Sequence, residues 1–171
     1  MEPQPHPSTP VRRSMRLVLL NGRDELLLMK VALPDRTFWC TIGGGMDAGE
    51  TPQQAARREL REETGLTDRD VVWGPPVWYG EHRLQRDGVL TLHQETFLLV
   101  RTVCTDVSTD RMTEQERQVV KSFKWWSLAA LKKTREFVVP PSLVRHLEPL
   151  LAGAIPSHTL QIDLGNERRP A

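Results

Sequence analysis

Apolar residues along the chain fall into short dense runs separated by polar turns. Residues 15–20 and 25–31 are crowded with Leu and Val, and Asn21-Gly22 between them is a turn dipeptide, so the two runs predict a β-hairpin. Residues 37–42 predict another short strand that ends at Gly43-Gly44-Gly45. From 52 to 64 the spacing changes to that of a helix. Residues 71–84 are β-prone but carry Pro75 and Pro76, which predicts strand broken by loop. Residues 89–103 predict a long strand, entered through the turn Arg86-Asp87-Gly88. A polar loop over 105–113, a short strand over 123–126, a helix over 127–132 and a last helix over 141–151 complete the pattern. Strands interleaved with helices predict an α/β layered domain over residues 14–152. Residues 1–13 hold four prolines and few apolar side chains, and predict a disordered lead-in; residues 153–171 predict a loose tail.

Composition narrows the classes. The chain has 171 residues, of which 39% are hydrophobic and 26% charged, enough for one compact domain with a real core. A net charge of +1 argues against a large nucleic-acid-binding surface but leaves room for small phosphorylated ligands. Cys40 and Cys104 make no disulfide framework and no Cys-x-x-Cys pair. No apolar run reaches membrane-spanning length, and the first ten residues lack a signal-peptide apolar region. The expectation is a cytoplasmic protein with a small-molecule nucleotide-type partner, no nucleic acid and no membrane, and with a homodimer left open.

The helix over 52–64 is bounded by strong signals. Thr51 is a capping hydroxyl, Pro52 suits the first helical position, Gln54 closes a capping box, and Gly65 suits a left-handed stop. At about 100° per residue, Glu59, Glu62 and Glu63 fall within an arc of roughly 100° on one face. Carboxylates so placed repel one another unless solvent or a cation lies between them. An oxygen-rich acidic face suits Mg²⁺ or Mn²⁺. Taken alone, such a face is more often solvated and paired with arginines. The preceding glycines bring a backbone that can approach a metal or phosphate closely.

The whole string, Gly44, five residues, Glu50, seven residues, then Arg58-Glu59-Leu60-Arg61-Glu62-Glu63-Thr64-Gly65-Leu66, resembles the Nudix box at every defining position. The resemblance implies an α/β/α sandwich with a mixed central sheet. It implies a metal-dependent pyrophosphohydrolase, a hydrolase of phosphorus-containing anhydrides. The bond cut would be the diphosphate of a nucleoside diphosphate linked to another group: a nucleoside triphosphate, a nucleotide sugar or a dinucleotide. By the same resemblance Glu59 and Glu63 are metal ligands, Glu62 is a ligand or base, Arg58 orients a glutamate, and Glu50 supports the site. A backbone carbonyl of Gly43 or Gly44 completes a metal shell.

Water would attack phosphorus, with a carboxylate accepting its proton. The candidates for that base are Glu62, Glu63, Glu95, Glu114 and Glu116. Glu116 is favoured, because its spacing to Trp125 resembles that in relatives. Outside the box, Lys30, Arg36 and Arg83 are candidate phosphate-binding cations. Trp73 and Trp78 are candidate stacking rings in the proline-broken segment, although packing is the commoner role for each. His82 and His93 have no metal-ligand spacing and read as structural. The competing readings are a nucleotide sensor without turnover, an isopentenyl diphosphate isomerase, and RNA end processing. The intact acids disfavour the sensor. The absence of a matching cysteine context disfavours the isomerase, and the near-neutral charge lends RNA no support.

Overall fold

The structure is a computed structural model, and it describes residues 9–165. Its elements run β1 (Val11–Leu20), β2 (Leu26–Leu33), β3 (Arg36–Gly45), α1 (Pro52–Thr64), β4 (Val71–Arg86), β5 (Val89–Thr102), α2 (Glu114–Val119), β6 (Val120–Trp126), α3 (Leu128–Lys133), β7 (Val138–Val139), α4 (Leu143–Leu151) and β8 (Leu160–Gln161). The strands form one mixed sheet in the order β6-β2-β3-β1-β5-β4-β8, with β7 alongside β3. β1 runs parallel to β5 and antiparallel to β3.

Because side chains alternate across a strand, each apolar strand feeds two cores. Met15, Leu17, Leu19 and Ile42 meet Ala55, Ala56 and Leu60 of α1 on one face. Val18, Leu20, Leu26, Leu28 and Phe97 meet Leu131, Leu143, Leu147 and Leu150 of α3 and α4 on the other. The expected sandwich around a mixed sheet is the architecture observed.

Several local expectations need correction. β1 and β2 meet only at Leu20 and Leu26, so they are not a hairpin; β1 lies between β3 and β5, and β2 between β3 and β6. Asn21 still turns the chain, its Oδ1 accepting from the amides of Arg23 and Glu25 at 2.9 and 3.0 Å. β4 runs through Pro75 and Pro76 as one strand, because register shifts on either side of Pro76 absorb the missing donors.

The lead-in drawn to residue 13 is too long. Val11, Arg12 and Arg13 pair with Leu92, His93 and Gln94 of β5, while residues 1–8 lie outside the described part. The tail is not loose over residues 160–165. β8 pairs with Trp78 and Tyr79, the Ile162 amide donates to the Tyr79 carbonyl at 2.8 Å, and Ile162 and Leu164 are buried. Residues 166–171 lie outside the described part.

Trp78 is 1% exposed and packs against Phe97 and His146, so it cannot present a ring to a ligand. α2 is an element that apolar periodicity gave no hint of, since none of its residues is buried.

Candidate active site

Helix α1 begins as its sequence dictates. The Thr51 hydroxyl accepts from the Gln54 amide at 3.2 Å, and the Gln54 side chain accepts from the Thr51 amide at 2.8 Å. At the other end, Gly65 adopts φ 75° and donates to the Arg61 carbonyl at 3.0 Å. Ala55, Ala56 and Leu60 fix the rotation of the helix on the sheet, which carries Glu59 and Glu63 against the end of β3.

Glu59 and Glu63 are only 5% and 3% exposed. Their neighbour is the glycine stretch. The Gly43 amide donates to Glu63 Oε2 at 2.7 Å, and a Cβ placed on Gly44 would lie 2.5 Å from Glu59 Oε1. Gly44 is therefore demanded by the acid that crowds it, beyond any need to turn.

Arg58 is the hub of the cluster. Its Nε and Nη2 donate to Glu50 at 2.9 and 3.0 Å, Nη1 to Glu59 at 2.7 Å and to Glu62 at 3.3 Å, and Nη2 also to the Gly45 carbonyl at 2.9 Å. One guanidinium thus ties three carboxylates to the strand end with its fixed fork of donors.

Electrostatics follow from this packing. The Glu63 carboxyl is pushed well above the usual range by burial and then by the charge of Glu59, against the pull of the Gly43 amide and Arg16. Burial also raises Glu59, despite Arg58. Glu50 is held low by its hydrogen bonds from Arg58 and the Asp47 amide.

A further acid arrives from elsewhere in the chain. The Thr113 capping box seats Glu116 at the start of α2, its Oε2 accepting from the Thr113 amide at 2.7 Å. Carboxylate oxygens of Glu59, Glu62 and Glu116 all lie within 4.8 Å of one another. This is an oxygen-only donor set of the kind hard divalent cations take. Glu63 is outside that trio and is spent in part on Gly43. Glu114 is exposed and apart from the cluster.

Behind the glycines, on the sheet face away from α1, lies a cleft of about 210 Å³. Arg12, Arg16, Glu95 and the stacked rings of His82 and His93 line it, with Pro140 and Gly165 among its walls. Gly44 is common to both sides: it lines the cleft and abuts Glu59. Glu95 is therefore separated from the acid trio by the sheet and pairs instead with Arg16, at 3.3 Å.

The expected cations do not gather here. Lys30 is paired with Glu136 at 2.8 Å, Arg36 lies over the Phe38 ring, and Arg83 is exposed; none of the three lines the cleft. Trp73 donates from its ring to Asp68 at 2.9 Å. Sequence reasoning passed over Arg12 and Arg16. The available signal was alternation, because Arg12, Ser14 and Arg16 share one face of a strand whose other residues, apart from Arg13, are apolar.

The RNA pyrophosphohydrolase of Mesorhizobium japonicum is 38% identical over 76 residues, covering 40% of this chain and 44% of that one. That of Rhodospirillum rubrum is 34% identical over 83 residues, covering 47% and 50%. The chain thus spans about half the length of these curated relatives or less. Among solved structures, the E. coli dihydroneopterin triphosphate pyrophosphohydrolase superposes with a TM-score of 0.61 at 21% identity, covering 83% of this chain and 96% of that one. The MutT protein of Methanosarcina mazei Go1 gives 0.59 at 19% identity, covering 86% and 98%, and likenesses at this level of identity speak to the fold. The family model described as NUDIX domain matches residues 10–147, and the chain belongs to that family.

Proposed function

We propose that the chain is a divalent-metal-dependent pyrophosphohydrolase acting on a nucleoside diphosphate linked to a further group. The observation that carries this reading is the convergence of Glu59, Glu62 and Glu116, from two helices, within 4.8 Å. A solvated acidic face would not recruit a third carboxylate from a distant capping box. Glu59 and Glu62 would hold Mg²⁺ or Mn²⁺, with the Glu63 oxygen that does not accept from Gly43 as a further ligand. A cation bound there supplies Lewis-acid charge to the diphosphate and to the attacking water.

The protein's own groups do the rest. Arg58 keeps Glu59 and Glu62 from splaying apart. Glu116 keeps one oxygen clear of its capping contact and accepts the proton from water as the new oxygen–phosphorus bond forms. The anhydride P–O bond breaks, and its electron pair leaves with the departing phosphate. Gly44 and Gly45 bring backbone close to the diphosphate, and the cleft behind them receives the organic part of the substrate. Arg12, whose guanidinium lies over Gly45, is a cation placed to meet a phosphate there.

A reducing, cytoplasmic setting fits the two free cysteines. No helix among the described residues is long and apolar enough to cross a membrane. A second reading, hydrolysis at the pyrophosphate end of an RNA, is favoured by the likeness to RNA pyrophosphohydrolases over part of the chain.

The test is a panel of nucleoside triphosphates, nucleotide sugars, dinucleotides and a 5′-triphosphorylated RNA oligonucleotide. It is run with Mg²⁺ and with Mn²⁺, with phosphate and pyrophosphate detection. Turnover of at least one small member, lost in Glu59→Gln and Glu116→Gln at unchanged fold, is expected. Turnover of the RNA alone selects the second reading. Binding without product, or full rates in both variants, overturns the proposal.

A further inference from the structure

We infer that Arg16 is a positioning residue that links the cleft to the acid cluster through Gly43; this rests on the functional reading above. Arg16 lies on the sheet face away from α1, and its side chain is 22% exposed to the cleft. Its Nη1 donates to the Gly43 carbonyl at 3.0 Å and its Nη2 to Glu95 Oε1 at 3.3 Å. On the other side of the sheet, the amide of the same Gly43 donates to Glu63 at 2.7 Å. Both hydrogen-bonding groups of one residue are thus held by charged side chains from opposite faces of the sheet.

Gly43 has little freedom to absorb a change at either end. It sits at φ 128°, where side chains are strongly disfavoured, and a Cβ on it would lie 2.1 Å from the Met15 carbonyl oxygen. Next to it, Gly44 touches the Glu59 carboxylate. Turning the Gly43 carbonyl therefore moves the backbone that locates Glu59 and Glu63. The outer end of the chain of contacts, Glu95 and Arg16, is where the organic part of a substrate would touch it. A ligand group that engages Glu95 or Arg16 reorients the guanidinium, and the guanidinium holds Gly43. Burial supplies the cost of breaking the chain, since Glu95 is 13% exposed and would be left unpaired without Arg16.

The role differs from that of a plain substrate contact, which would alter KM alone. Arg16→Met and Glu95→Gln are each expected to lower kcat by about 10- to 100-fold, the scale for a misplaced catalytic group, with KM changed far less. The double variant is expected to be no worse than Arg16→Met, because the two act as one unit. Glu95→Gln is nearly isosteric and keeps the test open if Arg16→Met fails to fold. Nuclear magnetic resonance gives a readout independent of turnover. The Gly43 amide signal, and its response to Mg²⁺ alone, is expected to move in Glu95→Gln although that substitution lies across the sheet from the acid helix. An unmoved Gly43 signal, additive kinetic losses, or a rise in KM at constant kcat overturns the inference. If no substrate in the panel turns over, the functional reading fails, while the Gly43 signal still decides the role of Arg16.

Discussion

Replacing Gly44 by alanine would set a methyl group 2.5 Å from Glu59 Oε1, 2.9 Å from its Cδ and 3.0 Å from Oε2. To restore van der Waals separation the carboxylate must retreat by about 1 Å. The direction of retreat is constrained, because Arg58 Nη1 holds the same Oε1 at 2.7 Å and the side chain is buried. A displacement of this size at a reacting centre costs about 100-fold in rate, equivalent to about 2.7 kcal/mol of transition-state stabilisation. The penalty for stability is smaller. Gly44 has no left-handed backbone to strain, and the atoms met are the end of a side chain, so about 1 kcal/mol is expected, or a fall of about 3 °C in Tm. Steady-state hydrolysis on the best substrate of the panel, measured beside a thermal melt, separates the two effects. A Gly44→Ala variant that kept kcat within about threefold, a loss of under 1 kcal/mol, would refute the argument that this glycine exists to admit Glu59.

Gly43→Ala should behave differently: the added methyl meets Met15 backbone in a left-handed conformation, so destabilisation of about 3 kcal/mol or more is expected by chemical denaturation, against little change if the contact is soft. The raised carboxyls give a pH signature. Glu59 and Glu63 lie above the ordinary value of 4.5, so their contribution favours the fold at low pH and is lost as pH rises through their shifted range; a divalent cation competes with those protons. The rise in Tm on adding Mg²⁺ should therefore grow from mildly acidic to neutral pH, and a rise independent of pH counts against the buried acids as the binding site. Trp78→Ala should cost about 3–5 kcal/mol by denaturant titration, as for a core aromatic, whereas a ring used for stacking would weaken substrate binding and leave stability nearly intact.

The sequence carried the acid helix almost completely, because its information is local. A capping box, a left-handed glycine stop and a face of glutamates are all read within a single turn or two of chain, and α1 has the bounds they imply. What it did not carry was set by partners remote in sequence. Nothing near Asn21 says that β1 will insert between β3 and β5 rather than fold back on β2. Pro75 and Pro76 argued against a continuous strand, and the register shifts that rescue it depend on β5. Ile162 and Leu164 are too sparse to mark a strand, yet they dock because Gly80 leaves room for the Leu164 side chain. Glu116 was legible through family spacing, whereas Arg16 looked like an ordinary charge in a strand until Glu95 and the Gly43 carbonyl came beside it.

The docking of the stretch after α4 has a consequence for how selectivity and chemistry are lost. One wall of the cleft is Leu164 and Gly165, held by a two-residue strand and a few apolar contacts, whereas Glu59 and Glu63 are buried on α1 against the sheet. Segments secured by few contacts open long before the whole molecule does. On warming, this protein should therefore pass through a regime in which the peripheral wall has peeled away while α1 and its buried acids stay seated, so that on the proposed function the cleft loses its shape before the acid helix does.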